Sequence, residues 1–393
     1  MKIKTAILLP VIAITIGLFV PTVIAQTITV LTSGLKRPNK TILTDQGNLL
    51  VAEGGTGIHD GRISIINPQT GLRRTLLNGL PSAAGRYNLP QGPSSIVMRG
   101  RDLYITIGEG NPTVACEAPC IQIPNPSGAS SPIFSSVLVL HFSAHTEMIT
   151  TGFTHAPTDD LALKNGQQLL FDNGGGDSAT LELLADFHDT APAPRRGAYQ
   201  SVAASNPFGV EIMANHLYVT DGGMNNVWKV GIETGEIDEL IRFPDLVLPS
   251  LRVKEAVPTG IRRYGSQLLV VLFRGGSDNF FGDIIAEVRI VDPQTGADAP
   301  FIEGLTAAID VLPVPVGLRR PDYFHVLEFG VFNPPNGPGR KPTQLLRFDN
   351  PAGAPVSALD LGNFATSMTR DPSSGDIYVT RIFTGAIVRV RFP

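Results

Sequence analysis

Acidic residues stand ahead of glycines at several places in this chain. Glu53 precedes Gly54-Gly55, Glu109 precedes Gly110, Asp221 precedes Gly222-Gly223, and Glu328 stands two residues before Gly330. Asn206 and Asp310 sit near the starts of the runs NPFGVEIM and AIDVLPVP. Carboxylate and amide oxygens are hard donors, so Glu53, Asn206, Asp221, Asp310 and Glu328 would suit one hard cation such as calcium if the fold gathers them. The same carboxylates can cap the glycine turns they precede or pair with arginines, and residue type leaves both readings open. Of the seven histidines, His59 alone lies in a clear loop, which makes it the candidate general base. There is no GxSxG elbow, and NGGGD at 173–177 lacks the Lys-Ser/Thr ending of a phosphate loop. An activated serine and a nucleotide cradle are therefore not expected.

The two cysteines, Cys116 and Cys120, bracket the stretch CEAPC. The spacing is not CxxC, and two thiols without a paired histidine nearby leave half of a tetrahedral zinc site empty. In an oxidising compartment they would form a local disulfide that stiffens one loop.

The elements that must position these groups announce themselves by repetition. In HLYVTDGGMNNVWKVGIETG, residues 216–235, alternation in the first half reads as a half-buried strand. Asp221-Gly222-Gly223 reads as a corner where positive φ is cheap, and the rest as a returning strand. The same strand and glycine corner recur in GNLLVAEGG, RDLYITIGEG, SQLLVVLFRGG, DYFHVLEFG and GDIYVTRIFTG, which makes six copies. A strand opened by Pro or Gly precedes most copies, and a fourth strand follows most returns, as in RRTLLNGL and IDELIRFPD. The sixth unit ends at Pro393 without its fourth strand, while TITVLTSGL at 27–35 is a fourth strand without partners. The pattern predicts an all-β, six-bladed β-propeller over 26–393 in which the first strand closes the last blade and so removes exposed sheet edges. A parallel β-helix is the alternative, and four strands per unit with a split last unit argue against it.

In such a ring the loops from strand two to strand three and from strand four to the next blade emerge on one face. Here they are the long ones, including GGTGIHDG, GEGNPTVACEAPCIQIPNPSGASSP and FRGGSDNFFGD. Binding is expected there, on the polar residues Glu53, His59, Glu109, Asn111, Asn225, Arg274 and Asp278. A long irregular insertion at about 144–204 joins blades two and three, with NGGGD as a flap or lid within it.

The net charge of −4 and the absence of a Lys/Arg cluster exclude the basic face that a nucleic-acid binder needs. Residues 1–25, MKIKTAILLPVIAITIGLFVPTVIA, combine two lysines, an apolar run and a small-residue site. That is the pattern of a secretory signal peptide cut after Ala25, with a retained anchor as the alternative. No later segment reads as membrane-spanning, so the expectation is an exported monomer in the periplasm or outside the cell.

The segments RPNKTIL, GNLLVAEGGTG, GRISIINPQTG, LNGLPS and GPSSIV within 34–111 resemble the start of the ScyD/ScyE family of exported cyanobacterial propellers linked to scytonemin clusters. SNPFGVEIMANHLYVTDGGMNNVWKV and VPTGIRRYGSQLLVVLFRGG resemble that family's central segments, and LELLADFHD stands where the family carries a helix-prone piece. Arg274 and the insertion at 331–341 depart from the pattern. The resemblance implies a propeller and brings no catalytic residue with it. More distantly the chain resembles NHL and gluconolactonase-like propellers, whose lactonases hold a divalent cation on the channel axis with Glu, Asn and Asp oxygens. That likeness implies calcium for the five-residue set above. Quinoprotein dehydrogenases share the plan, but a quinone clamp of His with paired Arg/Lys does not assemble from this sequence. Two functions follow: an exported propeller binding or scaffolding a small molecule or partner protein, for which the resemblance implies a place in scytonemin-type pigment metabolism, and a metal-dependent lactonase or esterase. The first is favoured, since turn chemistry alone explains the glycine corners.

Overall fold

The computed structural model describes residues 26–85, 88–116, 122–192, 202–249, 253–275, 284–315, 322–331, 341–362 and 364–392. The leader, Cys120 and Asp278 lie outside these. Among the described residues, six sheets of four or five strands follow one another along the chain. Blade 1 is built from Pro38–Leu43, Leu49–Glu53, Gly61–Ile66 and Arg73–Leu80, and blade 3 from Pro207–Met213, His216–Asp221, Asn226–Gly231 and Ile237–Arg242. Blade 4 is Pro258–Tyr264, Gln267–Leu272, Ile284–Val291 and Asp298–Thr306, and blade 5 is Ala308–Val314, Tyr323–Glu328, Thr343–Phe348 and Ser357–Gly362. Blade 6 takes Ala365–Arg370, Ile377–Arg381 and Ala386–Arg391 from the end of the chain and Thr27–Thr32 from its start. The closing pair is antiparallel and runs from Thr27 opposite Arg391 to Thr32 opposite Ile387. The protein is a six-bladed β-propeller closed by its first strand.

Alternating side chains give each blade two apolar faces, and each face packs on a neighbour. Ile63, Leu77, Ile105 and Leu138 bury the junction of blades 1 and 2, and Val139, Leu217 and Val230 that of blades 2 and 3. At the closing junction Leu49, Val51, Tyr378 and Ile387 do the same for blades 1 and 6. Full burial of each such side chain stabilises by roughly 1.5–3 kcal/mol before conformational entropy is counted. Around the hole, the inner strands are stitched by polar groups. Asn39 Nδ2 donates to Pro93 O at 3.1 Å, Ser94 Oγ to Pro207 O at 2.6 Å and Thr220 Oγ1 to Thr259 O at 2.5 Å. Thr366 Oγ1 returns the ring to blade 1 by donating to Asn39 O at 2.7 Å.

Blade 2 departs from the sequence reading. Its strands are Pro93–Arg99, Asp102–Ile107, Ser136–Phe142 and Ser178–Asp186, so LELLADF, expected to be helix-prone, is the fourth strand of that blade. Leu181 and Ala185 face the core, and pairing to Ser136–Phe142 overrides the local helical spacing. The insertion is ordered where it is described. Phe153–Thr154 adds a parallel outer strand to blade 1, Leu169–Asp172 pairs with Ser178–Asp186, and a short 3-10 turn, Pro157–Asp159, leads into the helix Asp160–Lys164. NGGGD is the turn of that outer hairpin rather than a lid, since Asp172 pairs with Ser178 across it.

The corner of the 216–235 hairpin also works differently from expectation. Positive φ is taken by Asn225, at 56°. Gly223 is needed for space, because a Cβ there would lie 1.6 Å from Ala204 O.

Candidate functional site

The third residues of the six inner strands are Lys40, Ser95, Gly209, Gly260, Asp310 and Ser367, and all six line the pocket on the propeller axis. A Cβ on Gly260 would sit 2.7 Å from the Asp310 Cα. Glycine there lets blades 4 and 5 meet. The free space on the axis is ≈ 10 Å³, room for about one water. Asp310 is 1% exposed and faces two cations: Arg262 Nη2 at 2.8 Å and Lys40 Nζ at 3.6 Å. Met368 N donates to the same carboxylate at 3.0 Å, and the Arg262 guanidinium also donates to Val311 O and Met368 O. Burial, then the charge of Arg262, push the Lys40 ammonium down to about 8, with Asp310 and Glu211 opposing. Sequence reasoning named Asp310 as a metal ligand and missed Lys40 and Arg262. Aligning the six inner strands at their third position would have exposed the polar axis.

Glu53, Asp221 and Glu328 end the second strands of blades 1, 3 and 5 and are almost wholly buried. Each accepts a backbone N–H from the chain entering its own blade: Lys36 N at 2.5 Å, Asn206 N at 2.8 Å and Thr306 N at 2.7 Å. Asp221 also accepts from Gly223 N, Met224 N, Ser205 Oγ and Trp228 Nε1. Glu53 accepts the Ser64 hydroxyl, and Glu328 pairs with Lys341 Nζ at 2.6 Å. The expected calcium set is therefore not gathered. Its carboxylates are spread over blades 1, 3 and 5, and no three of them come within 4.8 Å of one another. Turn capping and ion pairing, the alternatives open in the sequence, describe them.

The expected face residues divide in the same way. Glu109 N donates to Asn206 Oδ1 at 3.4 Å, and Asn206 N to Asp221, so these three form one relay between blades 2 and 3. Asn111 Oδ1 accepts from Ser130 N and Oγ and organises the long loop of blade 2. Asn225 bridges Asp245 and Val257 N, and Arg274 is buried against Pro244 O and Glu287. Cys116 is disulfide-bonded, and Cys120, its expected partner, lies outside the described residues.

His59 belongs elsewhere. Its loop lies between the second and third strands of blade 1, with His59 N donating to Ser82 O at 2.9 Å. His59 Nε2 stands 3.4 Å from Asp160 Oδ2, and His155 Nε2 stands 3.3 Å from Asp160 Oδ1. The side chains of His155 and Asp160 are 0% and 2% exposed and that of His59 13%. His155 and Asp160 come from the insertion, where Gly79 makes their approach to blade 1 possible: a Cβ there would lie 2.1 Å from His155 O. This is the one group of three His, Cys, Asp or Glu donors within metal-binding reach among the described residues.

No family model and no curated protein matches the sequence. Solved structures do match. Virginiamycin B lyase from Staphylococcus aureus is 12% identical over 94% of this chain and 99% of its own, with a TM-score of 0.46. The apo form of soluble aldose sugar dehydrogenase from Escherichia coli is 11% identical over 93% and 99%, with a TM-score of 0.48. A putative phosphatase from Bacteroides thetaiotaomicron is 10% identical over 91% of this chain and 72% of its own, with a TM-score of 0.50. At these identities the likeness is one of fold alone, and the propeller neighbours carry varied activities.

Proposed function

We propose that the protein is an exported propeller of the ScyD/ScyE kind that binds a small molecule or an exported partner protein on the face carrying its long loops. The observation that supports this reading is the state of the axis. Lys40, Arg262 and Asp310 neutralise one another there and leave room for about one water. An axial cation, which a lactonase or esterase of the gluconolactonase-like kind needs, would have to displace two ammonium or guanidinium groups from Asp310. The loop face has no such obstacle, and its Glu109 and Asn111 stand at the blade 2 corner beside Asn206.

The test is thermal melting of the mature protein, its N-terminus checked to be Gln26, with scytonemin as the probe. Saturable stabilisation that Asn111→Ala weakens, and that Asp45→Asn on the opposite face leaves intact, supports the reading. Chelator-sensitive hydrolysis of a lactone or ester panel, without such stabilisation, would replace it by the hydrolase.

A further inference from the structure

Three buried polar atoms without a hydrogen-bond partner belong to one small group, His59 Nε2, His155 Nε2 and Asp160 Oδ1, with the Asp160 carboxylate presenting Oδ1 to His155 and Oδ2 to His59. A folded protein rarely leaves even one such atom, because each unpaired group retains its desolvation penalty. Simple ion pairing does not account for them. The His155 Nδ1 lies 3.0 Å from Gly79 O. A carbonyl can only accept, so Nδ1 carries a proton, and Nε2 is the ring nitrogen turned towards the carboxylate. A metal ion between the imidazole nitrogens and the carboxylate would satisfy all three groups at once.

The spacing has room for a small cation. Zinc–nitrogen and zinc–oxygen bonds of about 2.0–2.1 Å set the edge of a tetrahedron at about 3.3 Å. The His155 Nε2–Asp160 Oδ1 separation of 3.3 Å matches that edge, and His59 Nε2 stands 3.4 Å from the other oxygen, Oδ2. Both separations exceed the usual range of an N–H···O hydrogen bond, about 2.7–3.2 Å. Donation of the opposite ring nitrogen to a backbone carbonyl, as from His155 to Gly79, is also how metal-bound histidines are oriented. Two imidazoles and one carboxylate favour a borderline transition metal over calcium or magnesium, which prefer oxygen throughout.

We propose that His59, His155 and Asp160 form a binding site for a divalent transition metal of the zinc class, clipping the insertion to blade 1. The site lies at the end of the second and fourth strands of blade 1, on the long-loop face and away from the axis. Three protein donors leave a fourth position, and the partly exposed His59 puts it on the solvent side, where a water or an oxygen ligand can enter. The site stands whether or not scytonemin binds the same face.

The experiment is elemental analysis of the full exported protein purified without chelator, followed by Zn2+ titration of the stripped protein and Co2+ substitution read by visible absorption. His59→Asn is the first variant, because asparagine tolerates the left-handed φ of 60° at this position. Asp160→Asn is the second, and Asp310→Asn is a control in the channel. One zinc per chain, tetrahedral Co2+ bands, and an affinity lowered by about tenfold or more in both site variants but not in the control are expected. A folded wild-type protein that takes up neither Zn2+ nor Co2+ would overturn the proposal and leave a proton-held His–Asp pair. Equal zinc affinity in His59→Asn would overturn it too, by placing the metal elsewhere. Iron in place of zinc would keep the three ligands and overturn the assignment of the metal.

Discussion

Two buried clusters of charged and titratable side chains lie in this propeller, and they are finished to different degrees. On the axis, the Asp310 carboxylate receives a guanidinium, a backbone N–H and the nearby Lys40 ammonium. At the rim of blade 1, His59, His155 and Asp160 approach just as closely yet leave three buried atoms unpartnered. A cluster whose members satisfy one another is part of the framework. One that leaves several buried polar atoms unpartnered is arranged around something else. By burial and charge the axis is the stronger candidate, and Asp310 of the sequence-derived cation set lies on it.

Breaking the axial cluster should have the largest effect. Asp310→Asn leaves Arg262 and Lys40 buried without their shared anion, and removing one partner of a buried ionic network costs about 3–5 kcal/mol. Urea unfolding at neutral pH measures this, and a loss below about 1 kcal/mol would mean that the network is not structural.

Lys40 gives the axial cluster a pH signature. Its folded value of about 8 lies below the ordinary 10.5, so between these values the unfolded chain binds the extra proton. Below pH 8 the buried ammonium weakens the fold; as pH rises from 8 towards 10.5 the penalty disappears, a gain of about 3 kcal/mol. Urea unfolding across that range should show the rise in wild type and lose it in Lys40→Met.

A third buried imidazole sharpens the contrast. His325 also has an unpartnered Nδ1, but aromatic rings of Tyr323 and Phe392 lie against it. Burial foremost pushes it down to about 4. The folded state then refuses a proton that the unfolded chain accepts, so stability present above pH 6.5 is lost as pH falls towards 4, by up to about 3 kcal/mol. His325→Phe should flatten that acid limb without altering zinc uptake.

The smallest effect belongs to Asp160→Asn in the presence of chelator. It exchanges a partly unpaired buried carboxylate for a neutral isostere and should shift the unfolding free energy by less than about 1 kcal/mol. The same variant should lose the stabilisation that zinc gives wild type.

The ring was legible because a propeller writes its blade repeatedly. Glycine corners at 54–55, 222–223 and 330 mark equivalent places, and the orphan strand Thr27–Thr32 could only belong to the blade that lacked a fourth. The fourth strand of blade 2 was hidden because the insertion separates it from Ser136–Phe142 and its leucine spacing imitates a helix. An acid before a glycine looks the same whether it caps the turn or binds a metal, and only the donors around Glu53, Asp221 and Glu328 decide. His155 and Asp160 were illegible for another reason. Their partner His59 is some ninety-six residues away from His155 by numbering, and the parallel pairing of Phe153–Thr154 with blade 1 brings them together.

The central claim, that the rim and not the axis holds the cation, is tested most directly by one series of melting curves. Stripped wild-type protein would be heated with chelator, with Ca2+ and with Zn2+, beside His59→Asn, Asp221→Asn and Asp310→Asn. The account predicts a midpoint that rises with Zn2+ and not with Ca2+, with the rise lost in His59→Asn and retained in both other variants. A midpoint raised by Ca2+ and returned to the chelated value by Asp221→Asn or Asp310→Asn would contradict it and put the metal on the carboxylates that the sequence suggested.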